Sequence, residues 1–305
     1  MTIETRPVAS QPAVRPAGVR RTLSRGIGRP RRRRGKSVAN IVGLALAAVF
    51  AFPVYWMVNS SFLETADLRG PDPVFLPLDG TFGQFRKVFA NPNFVTAITT
   101  SAVVTVLTVV CAVLFAFLAA LAVTRFRFLG RKGFILTILV IQMIPAEALF
   151  ISQFRMLDGW SLTNNVLGLT LLYVAAVVPF TVWMLRGFVA GVPRELEEAA
   201  MVDGCSRTRA FFVVVFPLLA PGLVAAGVFG FMQAWNEFTL GLVVMNRPES
   251  MTLPVWLRTF TGANQVTDWG GVMAASVILA VPVVAFFMLV QHRMASGLVS
   301  GAVKG

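Results

Sequence analysis

The chain has 305 residues, 56% of them apolar and only 13% charged, with 27 Lys and Arg against 14 Asp and Glu and a formal net charge of +13. A soluble domain of this length would carry roughly 25% charged residues, so the composition excludes an ordinary globular enzyme and leaves a polytopic helical membrane protein. The positive excess would suit nucleic acid, but it is segregated along the chain as a topology signal is, which excludes DNA and RNA binding.

Residues 1–36 are rich in Pro, Arg, Ala and Gly and show no apolar periodicity, which predicts a disordered basic tail that also touches anionic lipid. Gly35-Lys36-Ser37 mimics the end of a phosphate-binding loop. The glycine required five residues earlier is Pro30, and no strand precedes it, so nucleotide binding is not expected.

Six apolar runs follow at 38–58, 96–123, 133–152, 165–185, 211–235 and 272–291. Each is long enough to cross ~30 Å of hydrocarbon at about 1.5 Å per residue. The first is longer than the core of a signal peptide and lacks a cleavage site after it, and Tyr55 and Trp56 suit an interfacial belt, so it reads as a retained span. Gln142, Pro145 and Glu147 interrupt the third. In the fifth, Pro217, Pro221, Gly222, Gly227 and Gly230 predict a broken helix lining a path. The expected architecture is a tail at 1–36 and an all-α, six-span membrane domain at 37–305.

With six spans, both termini share a side with the loops around 125–132 and 186–209. That side holds 21 of the 27 Lys and Arg, and the other holds Arg69, Arg86, Lys87, Arg155, Arg247 and Arg258. The asymmetry predicts that both termini are cytoplasmic. Cys111 falls in a span and Cys205 in a cytoplasmic loop, so no structural disulfide is expected. His292 is the only histidine, which leaves neither a clustered metal site nor a Ser-His-Asp triad.

The loop of about 187–210 is the most specific stretch. Pro193 suits a first helical turn, and Glu195, Glu197 and Glu198 crowd that positive helix end. Leu196, Ala199, Ala200 and Met201 form an apolar stripe, Gly204 is a stop able to turn left-handed, and Ser206 caps the next helix. The prediction is a helix–glycine–helix element on the cytoplasmic face.

Glu198-Ala199-Ala200, then Gly204, Val214, Phe216 and Pro217, stand at the spacing of the signature loop of ABC importer membrane subunits. Val214 and Phe216 replace the Ile and Leu that the family prefers. The chain over residues 38–305 resembles the maltose-type sugar uptake permeases, and most closely the second of their two permease subunits. Pro179-Phe180 with Trp183, Leu185-Arg186-Gly187-Phe188, Ala234-Trp235-Asn236-Glu237-Phe238, Thr252-Leu253-Pro254 and residues 301–305 also fit. The Arg-rich tail lies outside the family pattern.

The resemblance implies a non-catalytic permease subunit in a prokaryotic plasma membrane, binding no cofactor of its own. A sister permease would complete a heterodimer, two ATPase subunits would use ATP and Mg, and an extracytoplasmic solute-binding protein would deliver a sugar. Glu198 would pair with a basic ATPase group, Ala199 and Ala200 would allow close approach, Gly204 would permit the bend, and Asp203 and Pro217 belong to the same coupling element. For the sugar path the residues themselves suggest Glu147 and Glu237, as acids in or at the edge of spans, with Gln142, Tyr173, Gln233, Trp235 and Asn236 as hydrogen-bonding and aromatic groups. Helix packing and interfacial anchoring is the alternative for each. A peptide or amino-acid permease is the second reading. An ion-coupled transporter is disfavoured by the lack of an embedded relay of acids and histidines. Val202-Asp-Gly-Cys-Ser-Arg and Met245-Asn-Arg-Pro-Glu-Ser look similar to permeases for chitobiose-like disaccharides.

Overall fold

The computed structural model describes residues 33–262 and 267–302, with side chains over 39–262 and 267–291. Most of the basic tail, at residues 1–32, and the side chain of His292 lie outside the described residues. The first helix, α1 (Arg33–Ser61), takes in the last arginines and Lys36, which had been expected to belong to the tail. Arg and Lys are good helix formers and extend the apolar run by a turn. The chain divides into two units, 1–51 and 52–305, and the second contains everything that follows.

Four long helices make the second unit's core: α3 (Phe94–Arg125), α6 (Val166–Gly191), α9 (Phe216–Trp235) and α12 (Trp269–Ala302). Short helices α2 (Gly83–Ala90), α4 (Arg131–Ile141) and α5 (Phe150–Gly159) lie between the earlier ones. Among the described residues five helices are each long and apolar enough to cross a membrane, and a bent pair brings the number to six if it is counted as one span. Among the described residues there is no strand.

The central contact is α3 against α6 and α9, and small residues create it. Ala97, Ser101, Val104, Thr105, Thr108, Ala112, Ala116, Ala120 and Val123 form one buried stripe of α3 at three- and four-residue steps. In lipid, apolar surface gains nothing by leaving water, so helices associate through close packing, which small residues permit. Gly222 of α9 is the extreme case, because a Cβ there would lie 2.9 Å from Phe188 Cβ of α6. The larger apolar side chains of α3, among them Val106, Val110, Leu114 and Leu118, point outward.

One expectation about breaks is met and one is corrected. The third run is interrupted where Gln142, Pro145 and Glu147 stand: α4 and the residues after it, Ala146–Gly159, meet at 93°. Pro145 is extended (φ −63°, ψ 124°) and cannot donate the hydrogen bond that would carry a helix through it. The fifth run, expected to be broken, is continuous from Arg207 to Trp235. Its first part is α8 (Arg207–Ala210), and Phe211–Val215 is a π-helical segment leading into α9. Pro217 stands in the first turn after that segment, where the widened register takes up the ring that would otherwise collide with the preceding turn. Pro221 is tolerated inside α9 without a break.

Beyond α9, α10 (Thr239–Val244) and α11 (Leu253–Leu257) fold back over the bundle. Asn164 pins this return: its Oδ1 accepts from Arg247 N at 2.9 Å and from Ser250 Oγ at 2.8 Å. Trp256 is buried against Phe94 and Phe260, and its Nε1 donates to Asn91 Oδ1 at 3.3 Å.

Candidate functional site

Between α6 and α8 the chain forms α7 (Glu195–Val202), at the end of the bundle where α3 finishes. Three glutamates occupy its first turn, where unpaired N–H groups favour negative charge. Pro193, expected in the first turn, stands two positions before the helix starts at Glu195, and the carbonyl of Arg194 accepts the first helical bonds from Glu197 N and Glu198 N at 3.0 Å.

The helix ends in a Schellman motif. Cys205 N donates to Ala200 O at 3.0 Å and Gly204 N to Met201 O at 3.1 Å, with Gly204 at φ +92°. A side chain at that φ would be strained, so glycine is required by the turn itself. Ser206 then caps α8 by accepting from Arg209 N at 3.3 Å, as its sequence position predicted. The helix–glycine–helix element is therefore present with its residues in the expected order.

The faces of α7 are unlike. Ala200 is buried, and it is the only buried residue of the helix; Glu198, Ala199 and Asp203 are exposed. Glu198 has no ion pair among the described residues. Glu197, one position earlier, is turned inward: its Oε2 lies 3.9 Å from Arg125 Nη1 and its Oε1 3.5 Å from Arg207 Nε. Arg125 also donates to Val192 O at 3.0 Å, and Arg194 donates to Arg125 O at 2.8 Å. A groove of about 340 Å³ opens here, lined by Leu121, Arg125, Arg194, Glu197, Glu198 and Arg207, among others. Pro217 is exposed, on α9 just beyond the π segment against which α7 packs.

Nothing in the sequence marks Arg125 and Arg207 as partners of Glu197. Arg125 is 72 positions from it, and ion pairs at such separations leave no periodic or spacing pattern.

At the other end, the expected path residues separate into two groups. Tyr173, Trp235 and Glu237 are engaged inside the chain. The Tyr173 hydroxyl donates to Glu237 Oε2 at 2.6 Å, and the same carboxylate accepts from Leu240 N at 2.7 Å and Gly241 N at 3.0 Å. Trp235 is buried, stacks on Phe231 and donates from Nε1 to Leu279 O of α12 at 3.1 Å. Gln142, Glu147, Gln233 and Asn236 are exposed. Gln142 and Glu147 flank the 93° bend, and Asn236 Nδ2 donates to Met232 O at 2.9 Å. Only Tyr173 and Glu237 of the seven are joined by a side-chain hydrogen bond among the described residues.

Comparison with known proteins places this geometry. Residues 112–299 match the model of a family described as the binding-protein-dependent transport system inner membrane component. A diacetylchitobiose uptake system permease protein of Streptomyces coelicolor is 43% identical over 271 residues, covering 89% of this chain and 98% of that protein. A trehalose/maltose transport system permease protein of Thermococcus litoralis is 34% identical over 278 residues, 88% of this chain and 98% of its own. A trehalose transport system permease protein of Mycobacterium tuberculosis is 34% identical over 266 residues, 87% and 94%. In fold the chain is similar to the crystal structure of a bacterial ABC transporter involved in the import of the acidic polysaccharide alginate, with a TM-score of 0.73 at 23% identity, covering 87% of this chain and 98% of that one.

Proposed function

The chain belongs to the family of binding-protein-dependent transport system inner membrane components, and we propose that it is the permease half of an ATP-driven importer whose cargo is a di- or oligosaccharide. The sugar class rests on the relatives, whose names give diacetylchitobiose, trehalose and maltose as cargo. The drive rests on α7: a short, stiffly capped helix whose exposed Glu198, Ala199 and Asp203 make a ridge fit for the cleft of another protein.

In this reading a sister permease completes the path, two ATPase subunits bind ATP and Mg²⁺, and a solute-binding protein delivers the sugar from outside. The ATPases lie on the α7 side of the membrane, the cytoplasmic side by the charge asymmetry, where both termini also lie. The chain itself performs no chemistry. ATP binding draws the ATPases together, α7 is carried with them, and the attached spans swing so that the path opens outward. Hydrolysis reverses the motion. Such transmission needs a stiff handle on a bistable assembly, and the Schellman turn and Ser206 cap supply the stiffness.

Along the path, Gln142, Glu147, Gln233 and Asn236 offer polar groups to the sugar, while Tyr173, Trp235 and Glu237 hold the wall that carries them. Uptake of labelled diacetylchitobiose, trehalose and maltose by cells with and without the chain tests the cargo. Loss of uptake of one of them on deletion, and its dependence on ATP, is expected. Undiminished uptake of all three, with loss of peptide or amino-acid uptake, overturns the sugar reading. Uptake that survives ATP depletion but collapses with an uncoupler overturns the ATP-driven one.

A further inference from the structure

We propose that Arg125 and Glu197 form a latch that fastens α7 to the end of α3, so that the two move as one body during transport. The proposal rests on the reading of α7 as the handle gripped by an ATPase, and assigns a positioning role to residues outside the signature spacing.

The first observation is how little packing holds α7. It has eight residues, of which only Ala200 is buried. A helix this short has no independent stability in water, and one alanine contributes little apolar contact. Its attachment must come largely from polar contacts and from the adjoining π segment.

The second observation is where those polar contacts converge. Arg125 is the last residue of α3, and its side chain is 10% exposed, against 16% for Glu197. One guanidinium serves both sides of the turn at Pro193, facing Glu197 after it at 3.9 Å and donating to Val192 O before it at 3.0 Å. The planar, five-donor arginine head can do this, whereas a lysine could not satisfy both directions at fixed geometry. Arg194 closes the loop in reverse by donating to Arg125 O at 2.8 Å. Arg207, whose side chain is 76% exposed, adds a weaker tie from α8 to the same carboxylate at 3.5 Å.

The third observation is the contrast between neighbours. Glu198 points out with no ion pair among the described residues, so it is available to a partner, while Glu197 is committed inward. Adjacent carboxylates on one turn thus divide the work: one is presented, the other anchors. A force applied at Glu198 passes through Glu197 and Arg125 into α3, the helix most extensively packed in the core. Removing the Glu197 carboxylate leaves the Arg125 charge largely desolvated and without an ion-pair partner among the described residues, which penalises opening of the latch.

Distances between spin labels in the assembled complex test this. Labels are placed at Arg127→Cys and Val202→Cys, with Cys111 and Cys205 replaced by Ser, and the complex is measured without nucleotide and with a non-hydrolysable ATP analogue. The expected result is one narrow Arg127–Val202 distance that does not shift between the two states, while the distance from Val202→Cys to a label at Leu78→Cys does shift. Glu197→Arg is expected to lengthen and broaden the Arg127–Val202 distance, and the swap Arg125→Glu with Glu197→Arg to restore it in part, since the bond to Val192 O stays lost. Where Glu197→Arg prevents assembly, Glu197→Gln takes its place. A wild-type Arg127–Val202 distance that shifts with nucleotide, or a Glu197 variant that leaves it unchanged, overturns the latch. An unmoving Val202–Leu78 distance instead overturns the reading of α7 as the driven handle.

Discussion

The Tyr173 hydroxyl and the Glu237 carboxylate meet at 2.6 Å across a separation of 64 positions, joining the first third of α6 to the residues just before α10. The carboxylate is at the same time the side-chain cap of α10, holding Leu240 N and Gly241 N. Two residues that invite a sugar-contact reading are thereby committed to each other.

Glu237→Ala leaves three donors without their acceptor, and about 1–3 kcal/mol of destabilisation is expected for a buried unsatisfied group. Tyr173→Phe removes only one donor and should cost about 1 kcal/mol or less, as interhelical side-chain bonds in lipid do. Thermal unfolding of the purified complex measures both. If these residues contact sugar instead, the apparent KM for uptake rises while thermal stability stays at the wild-type value.

Gly222→Val places a Cβ 2.9 Å from Phe188 Cβ and still nearer its ring. Overpacking of this kind costs about 1–3 kcal/mol, and α6 and α9 must part to relieve it. Reduced folded subunit in membranes is expected, with partial recovery on adding Phe188→Ala. Independent, additive effects of the two substitutions would show that the close approach is not what makes glycine necessary.

Glu198→Lys and Gly204→Asp are expected to leave the complex in the membrane and abolish uptake. The first reverses an exposed glutamate that has no ion pair among the described residues, and the second forces a side chain onto φ +92°, at about 1–2 kcal/mol for a left-handed residue. Membrane abundance and uptake measured together decide it, and normal transport by both variants would sink the coupling role.

Ser206→Ala removes the acceptor for Arg209 N and should destabilise the start of α8 by about 1 kcal/mol. Because α8 runs through the π segment into α9, faster proteolytic nicking at 203–207 is the expected readout. Ser206→Asp should protect the site as well as serine does.

Much of the helix–glycine–helix element was legible because its causes are local. A glycine stop, a serine cap and acidic residues in a first turn act within four or five positions, and each stands where the spacing put it. The breaks were harder. Pro145 and Pro217 are both prolines in apolar runs, yet one ends a helix and the other sits in an unbroken span of 29 residues. The difference lies in the residues before Pro217, which widen into a π turn over Phe211–Val215.

By itself, the sequence determined that this is a multi-pass helical membrane protein, roughly where its spans run, and where the helix–glycine–helix element stands. Those follow from hydropathy summed over ~20 residues and from short-range backbone chemistry, and both are written in consecutive positions. Only the tertiary structure decided which side chains were still unengaged. Glu197 and Glu198 are neighbours of like chemistry, yet only Glu197 is ion-paired inside the fold, and Trp235 is buried while Asn236 beside it is exposed. That choice depends on whether Arg125 or the Leu279 carbonyl, far away in the chain, lies within about 3–4 Å, a fact of packing that no local pattern encodes.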